Sequence, residues 1–259
     1  RSLDKYLLFK DFTSNMLSKF EKICAQSEAD RINFKKLTRI NIDVTGNTKF
    51  DFPISKKKSS LSKALKKELN ISNQILLVAG STRKGEEKVI LDCFKNLKIK
   101  NLILILVPRH PQRFEEVENL IASKNFIFAK RSNFKKSSQL PRVLLGDTMG
   151  ELRSYYELAD LVILGGSIKN FGAQNPIEPL SLGKPTIIGP SIYNFQDVIQ
   201  KAENHNLIYR LHNLKDLDLL VKKIIALKQK AINRQNLKDF LKKESGASQR
   251  LADIVNQYL

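Results

Sequence analysis

Tryptophan is absent, and cysteine, methionine and histidine are scarce, with two, two and three residues in 259. Cys24 and Cys93 fall in helix-like stretches without CxxC or Cys/His spacing, which gives no support to a disulfide framework or a zinc site and fits a reducing compartment. The histidines form neither a Ser/His/Asp order nor a metal-ligand cluster. No GxxxxGK[ST] is present, and no GxGxxG opens a helix, so a P-loop ATPase and a dinucleotide dehydrogenase are both disfavoured. Long apolar runs are also missing. The strongest, residues 102–107, is far too short to span a bilayer. The first residues, RSLDKYLLFKDF, lack an uninterrupted apolar core and a small-residue cleavage site and are not read as a secretory signal; since they do not begin with Met, upstream sequence is expected.

Acidic residues are the remaining shortage. Against 45 Lys and Arg stand 26 Asp and Glu, a formal charge of +19. Such an excess serves nucleic acid, an anionic membrane surface or a phosphorylated substrate. The lysines occur throughout, more densely at Lys56 to Lys58 and in LKKELN, and are not interleaved with aromatic residues as in a single-strand-binding groove. A nucleic-acid partner is therefore not expected, whereas attraction to an anionic membrane or substrate is. Apolar and charged fractions of 42% and 27% are ordinary for a folded globular chain, and 259 residues suffice for one large α/β domain plus part of another.

From residue 74 onward the pattern alternates. Apolar, β-branched runs at 74–80, 101–109, 125–130, 142–147, 161–166, 185–190 and 207–211 are separated by stretches with apolar residues at three- and four-residue spacing. Near-continuous apolar strands belong to a sheet covered on both faces, so the repetition predicts a doubly wound parallel sheet. Upstream, residues 2–23 and AQSEADRINFKKL read as helices and INIDVTGNTKFD as one short strand, followed by the Lys/Ser-rich segment ISKKKSSLSK. One strand with two helices cannot close a core. Residues 1–55 are accordingly read as the end of one domain and its linker, and 56–259 as a second domain with two or three amphipathic helices after Asn213.

In such sheets ligands sit beyond the C-terminal strand ends, where this sequence places GSTRKGEE, PRHP, GDTMGE and GGS. Ser81 and Thr82 precede a helix with Glu86 and Glu87 in its first turn, and would either bind an anion or cap that helix. Pro108 and Pro111 stiffen the turn around Arg109 and His110, and Arg109 offers a planar fork to a phosphate or a base carbonyl. Gly150, after Met149, stands at a helix start with free amides, and Asp147 caps it. Gly165, Gly166 and Ser167 form a turn that admits close backbone approach. Asn175 and Glu178 follow in NPIEP, where a carboxylate on an apolar helix start either faces a ribose diol or complements the helix dipole. Four such motifs at successive strand ends point to a nucleotide-binding cleft, and a nucleotide sugar is the class left after the exclusions above.

The stretches AQSEAD, VTGNTKFD, AGSTRKGEE, PRHPQRF, LGDTMGELRSYYELADLVILGGS and QNPIEPLSLGKPTIIGP, with the NF of YNFQDV, resemble the 3-deoxy-D-manno-octulosonic acid (Kdo) transferases of lipopolysaccharide assembly. The resemblance runs over most of the chain in the family's order. It implies a GT-B-type, Rossmann-like C-terminal domain that binds the donor CMP-Kdo, preceded by a helical remnant of the acceptor-binding domain. The implied reaction is inverting transfer of Kdo to the lipid A precursor lipid IVA, at the cytoplasmic face of the bacterial inner membrane. No metal or other cofactor is implied. The resemblance places the cytidine monophosphate among Pro108, Arg109, Met149, Gly150 and Asn175 to Glu178, with Glu178 on the ribose hydroxyls. It places Ser81, Thr82, Gly165, Gly166 and Ser167 against the phosphate or the Kdo, with Arg109 and Lys169 stabilising the departing CMP. Arg83 and Lys84 stand where the family usually has a His and an acid, and Ala173-Gln174 where it usually has Gly-His. The family's catalytic glutamate lies in its N-terminal domain and no stretch here matches it, so this chain is expected to bind CMP-type ligands and to lack the base. A non-catalytic nucleotide-sugar-binding fragment and another GT-B enzyme, such as a sugar-nucleotide epimerase, are the alternatives.

Overall fold

The computed structural model describes residues 3–51, 59–134, 141–227 and 233–259, so the lysine run at 56–58 and the first half of the Lys/Ser-rich segment lie outside the described residues. The chain forms two compact units, Arg1–Pro53 with Asp239–Leu259, and Ile54–Lys238.

The first unit holds α1 (Leu3–Leu8), α2 (Lys10–Leu17), β1 (Ile23–Ala25), α3 (Glu28–Lys35) and β2 (Ile42–Val44). Strands β1 and β2 pair in parallel from Ile23↔Ile42 to Ala25↔Val44. The sequence reading expected only the second of these and put Cys24 in a helix. A three-residue strand is too short to show a period, and its partner rather than its own pattern specifies it. Helix α3 starts where Ser27 accepts a hydrogen bond from the Asp30 amide, at 3.2 Å, as an N-cap should.

The second unit holds α4 (Ser60–Glu68), β3 (Ile75–Thr82), α5 (Glu86–Asn96), β4 (Leu102–Pro108), α6 (Phe114–Ser123), β5 (Phe128–Lys130), β6 (Val143–Leu145), α7 (Leu152–Leu158), β7 (Leu161–Leu164), α8 (Ile177–Ser181), β8 (Thr186–Ile188), α9 (Gln196–Asn204), β9 (Tyr209–Arg210) and α10 (Leu217–Ala226). The strands form one seven-stranded parallel sheet in the order β5-β6-β4-β3-β7-β8-β9. Successive residues of one strand feed opposite cores, as the strand period of two requires. Leu102, Leu104 and Leu106 pack with Ile90, Phe94, Val117 and Val221 on one face, while Ile103, Ile105 and Val107 pack with Leu65, Tyr155 and Leu158 on the other. The doubly wound parallel sheet read from the sequence is thus the observed fold.

Helix α11 (Arg234–Glu244) carries the chain out of the second unit, and α12 (Ala247–Val255) follows. The sequence reading assigned all of 56–259 to one domain, but residues 239–259 group with the first unit. Two contacts explain this. Phe240 meets Phe50 edge-on with ring centroids 5.6 Å apart. The Asp51 carboxylate accepts from the amides of Gly246 and Ser248, both at 2.6 Å, and so caps α12 from the other end of the sequence.

Candidate functional site

Connections leave β3 and β7 in opposite directions, so the crevice between their C-terminal ends is the switch point of the sheet, where parallel α/β folds bind ligands. The motifs singled out from the sequence follow β3, β4, β6 and β7, which stand side by side there.

Several expected ligand donors are engaged inside the fold. Ser81 has a left-handed φ of 57°, at an irregularity in the β3–β4 register. A Cβ on Gly165 would lie 2.2 Å from the Ser81 carbonyl oxygen, so this glycine is dictated by backbone packed on backbone rather than by room for a ligand. Thr82 is fully buried and donates its hydroxyl to Glu87 Oε1 at 2.7 Å. Ser167 is also fully buried; its hydroxyl donates to the Leu164 carbonyl at 2.5 Å and accepts from the Gly189 amide at 2.9 Å. The expectation that Thr82 and Ser167 offer free hydroxyls is corrected on this ground: each proton already has a buried acceptor.

The Gly166 amide is committed too, to a group that the sequence reading took as part of a helix cap. Glu86, at the start of α5, is wholly buried, and its two oxygens accept four backbone amides. These are Arg83 (2.8 Å) and Gly166 (2.7 Å) on Oε2, with Ile168 (2.8 Å) and Lys169 (3.1 Å) on Oε1. The turn after β7 is therefore an anion-binding nest filled by the protein's own carboxylate. Burial pushes the Glu86 carboxyl above its ordinary range, and the amide donors oppose that shift. Glu87 beside it pairs with Arg113 at 2.6 Å. A Glu-Glu pair after a glycine signals first-turn acids, and nothing in one sequence reveals that the acceptors' partners lie some eighty positions away.

On the β4 side, Pro108 is buried as the last residue of its strand and the Arg109 amide donates to the Thr82 carbonyl at 2.9 Å. The Arg109 guanidinium is exposed and has no partner among the described residues. His110 Nε2 lies 2.6 Å from Arg83 Nη1, and the Arg83 guanidinium stacks 4.9 Å over the Phe171 ring. Arg83 thus ties together the turns after β3, β4 and β7, a role no sequence signal indicated. Past β6, Met149 is 64% exposed, and Gly150 has φ 81° with open space where a Cβ would stand. Asp147 does not cap α7; it accepts from the Ser132 amide and hydroxyl at 2.8 and 2.6 Å.

On the β7 side, Asn175 Oδ1 accepts from the Ile177 amide at 3.1 Å and so turns the chain into α8. Glu178 on that helix is half-buried, and its carboxylate has no hydrogen bond or ion pair among the described residues. Burial raises its pKa, with Arg153 pulling the other way. Tyr156, fully buried on Gly80, has its phenol pushed up by burial and by the charge of Glu178. An open cleft of about 510 Å³, bordered by Lys169, Asn170, Ser191, Tyr193 and Gln196, adjoins the turns after β7 and β8 and falls in the ~300–1,000 Å³ range of small-molecule sites. Among the described residues no group of three or more His, Cys, Asp and Glu is placed to hold a metal.

Residues 1–52 match a family described as 3-Deoxy-D-manno-octulosonic-acid transferase (kdotransferase), through the model of its N-terminal region. A 3-deoxy-D-manno-octulosonic acid transferase of Haemophilus influenzae is 32% identical over 274 aligned positions, covering 100% of this chain and 62% of that protein. A bifunctional glycosyltransferase/methyltransferase of Fusobacterium nucleatum is 34% identical over 220 positions, 83% of this chain and 34% of that protein. The chain therefore spans less than two thirds of the length of these curated relatives. Among solved structures, the C-terminal CMP-Kdo binding domain of WaaA from Acinetobacter baumannii superposes with a TM-score of 0.62 at 28% identity, over 70% of this chain and 95% of that domain. A UDP complex of Anabaena HepE, at 14% identity and TM-score 0.61, shares the fold.

Proposed function

We propose that this chain, a relative of the Kdo transferases, carries the donor site of a glycosyltransferase that moves Kdo from CMP-Kdo to a lipid A precursor in lipopolysaccharide assembly. The observation that carries the reading is Glu178: a half-buried carboxylate with no hydrogen bond or ion pair among the described residues, on the helix that opens beside the switch-point crevice. A ribose diol supplies two hydroxyl donors that such a group lacks. Exposed Arg109 stands where a phosphate or a base carbonyl would meet a planar fork. The similarity to a domain described as CMP-Kdo binding supports cytidine as the base.

In the proposed reaction the acceptor hydroxyl oxygen attacks the anomeric carbon of Kdo from the face opposite the phosphate. The bond from that carbon to the phosphate oxygen breaks, and its electron pair leaves with CMP. Arg109 and Lys169 offset the charge that develops on the phosphate, without a metal or other cofactor. The hydroxyl proton goes to a base outside the crevice. The excess of 45 basic over 26 acidic side chains favours approach to an anionic membrane surface, and the cytoplasmic face of the inner membrane is the proposed location.

Calorimetric titration with CMP and UMP tests the reading. CMP is expected to bind more tightly than UMP, and Glu178→Ala and Arg109→Ala each to weaken it at least tenfold. Equal binding of both nucleotides would move the assignment to another GT-B enzyme. No binding of either would remove the donor site altogether.

A further inference from the structure

Arg83 has unusual company for an arginine. Its guanidinium lies on the Phe171 ring at 4.9 Å, and its Nη1 is 2.6 Å from His110 Nε2. Both contacts fix the planar group, and neither cancels its charge.

The acids around it are taken. Glu86 is filled by the four amides described above, while Glu87 and Glu116 are both bound to Arg113. Lys169 adds a second cation. Its Cε lies 3.7 Å from the position of a Cβ on Gly85, in the turn that carries Arg83, and its side chain borders the 510 Å³ cleft. No carboxylate among the described residues pairs with Arg83, Arg109 or Lys169. An arginine with free donors, held by an aromatic face, is ready to take an oxyanion with little further ordering.

We propose that Arg83 and Lys169 form an anion-recognition site for the acidic group of the sugar nucleotide, a phosphate or the carboxylate of the sugar, and so select acidic donors over neutral ones. The proposal rests on the donor-site reading above, which already sets Lys169 against the phosphate, and adds Arg83 as the residue that selects the acidic group.

The test is calorimetry of the 259-residue chain with cytidine, CMP and CMP-N-acetylneuraminate, a stable CMP conjugate of a keto-sugar acid. Arg83→Gln and Arg83→Lys are compared with the parent, with thermal melting to check folding. In Arg83→Gln, cytidine affinity should stay within twofold while that of an acidic ligand falls at least tenfold. Arg83→Lys should recover only part, since an ammonium keeps the charge but loses the stack and the fork. Loss on CMP identifies the phosphate; loss on the conjugate with CMP unchanged identifies the sugar carboxylate. Three affinities within twofold of the parent, or an equal fall for cytidine, overturn the inference. A parent that binds cytidine through Glu178 while Arg83→Gln is silent refutes this inference alone; a parent that binds none of the three refutes the donor site with it.

Discussion

Removing the Glu86 carboxylate should damage the fold more than any ordinary first-turn acid would. Glu86→Ala strands four amides whose hydrogen bonds are now 2.7 to 3.1 Å long: those of Gly166 and Ile168 are buried, and those of Arg83 and Lys169 are part-buried. A buried donor left without an acceptor costs about 1–3 kcal/mol. The two buried ones would sum to roughly 2–6 kcal/mol if the site stayed rigid and dry; the part-buried pair adds less, water entry and relief of the buried charge lower the total, and we expect about 4 kcal/mol. A loss of that size approaches the whole stability of a marginal domain, ~5–15 kcal/mol. Glu86→Gln keeps one oxygen for two amides but turns an NH2 toward the other two, so about 3 kcal/mol is expected. Urea denaturation gives the free energies, and amide exchange gives the location: Gly166, Ile168 and Lys169 should lose protection together, ahead of the sheet. A loss under about 1 kcal/mol in Glu86→Ala, with those amides still protected, would refute the clasp.

Gly165→Ala should cost about 3 kcal/mol or more, because the added Cβ meets the Ser81 carbonyl at 2.2 Å and backbone cannot step aside; thermal melting checks it. Gly150→Ala, with φ 81° but open space around it, should cost only about 1–2 kcal/mol in the same assay, and a larger loss than Gly165→Ala would contradict both assignments. The pH dependence of CMP binding should report Glu178. Burial raises its pKa above the ordinary carboxylate range, with Arg153 opposing, so affinity should begin to fall, as pH drops, at values where ordinary carboxylates remain ionised. Its effect on folding has the opposite sign: a raised folded pKa contributes stability that is present below the unfolded value and is lost as pH rises through the folded one. Glu178→Gln should therefore bind CMP weakly at every pH and flatten the profile. Asp51→Ala, which uncaps α12, should cost about 1–2 kcal/mol, read by the loss of ellipticity of the first unit on heating.

The sheet was legible because buried parallel strands write themselves as continuous apolar runs, and each of the seven marked runs became a strand. β1 was not, because Ile23–Ala25 is set by pairing with a strand across an intervening helix. The strand-end motifs were located correctly, but what their side chains do was only partly readable. Glu178 kept the features of a ligand group, half-buried and unpaired among the described residues, whereas Thr82, Gly165 and Ser167 turned inward to Glu87, Ser81 and Leu164. Hydroxyls and glycines suit a ligand and a tight backbone crossing equally well, and only three-dimensional neighbours decide between them. Arg83 stood out in the sequence only as a departure from the His usual in the Kdo transferases; its seat between Phe171 and His110 depends on three separate turns meeting.

The first unit is built from the two ends of the chain, with Phe240 on Phe50 and Asp51 at the head of α12. On the ribosome, residues 3–51 emerge long before their partners at 239–259. Every strand of the doubly wound sheet lies between these two segments in the sequence. Removing residues 239–259 is predicted to leave the sheet intact and to take Phe240 and α12, with the Asp51 cap, away from the first unit.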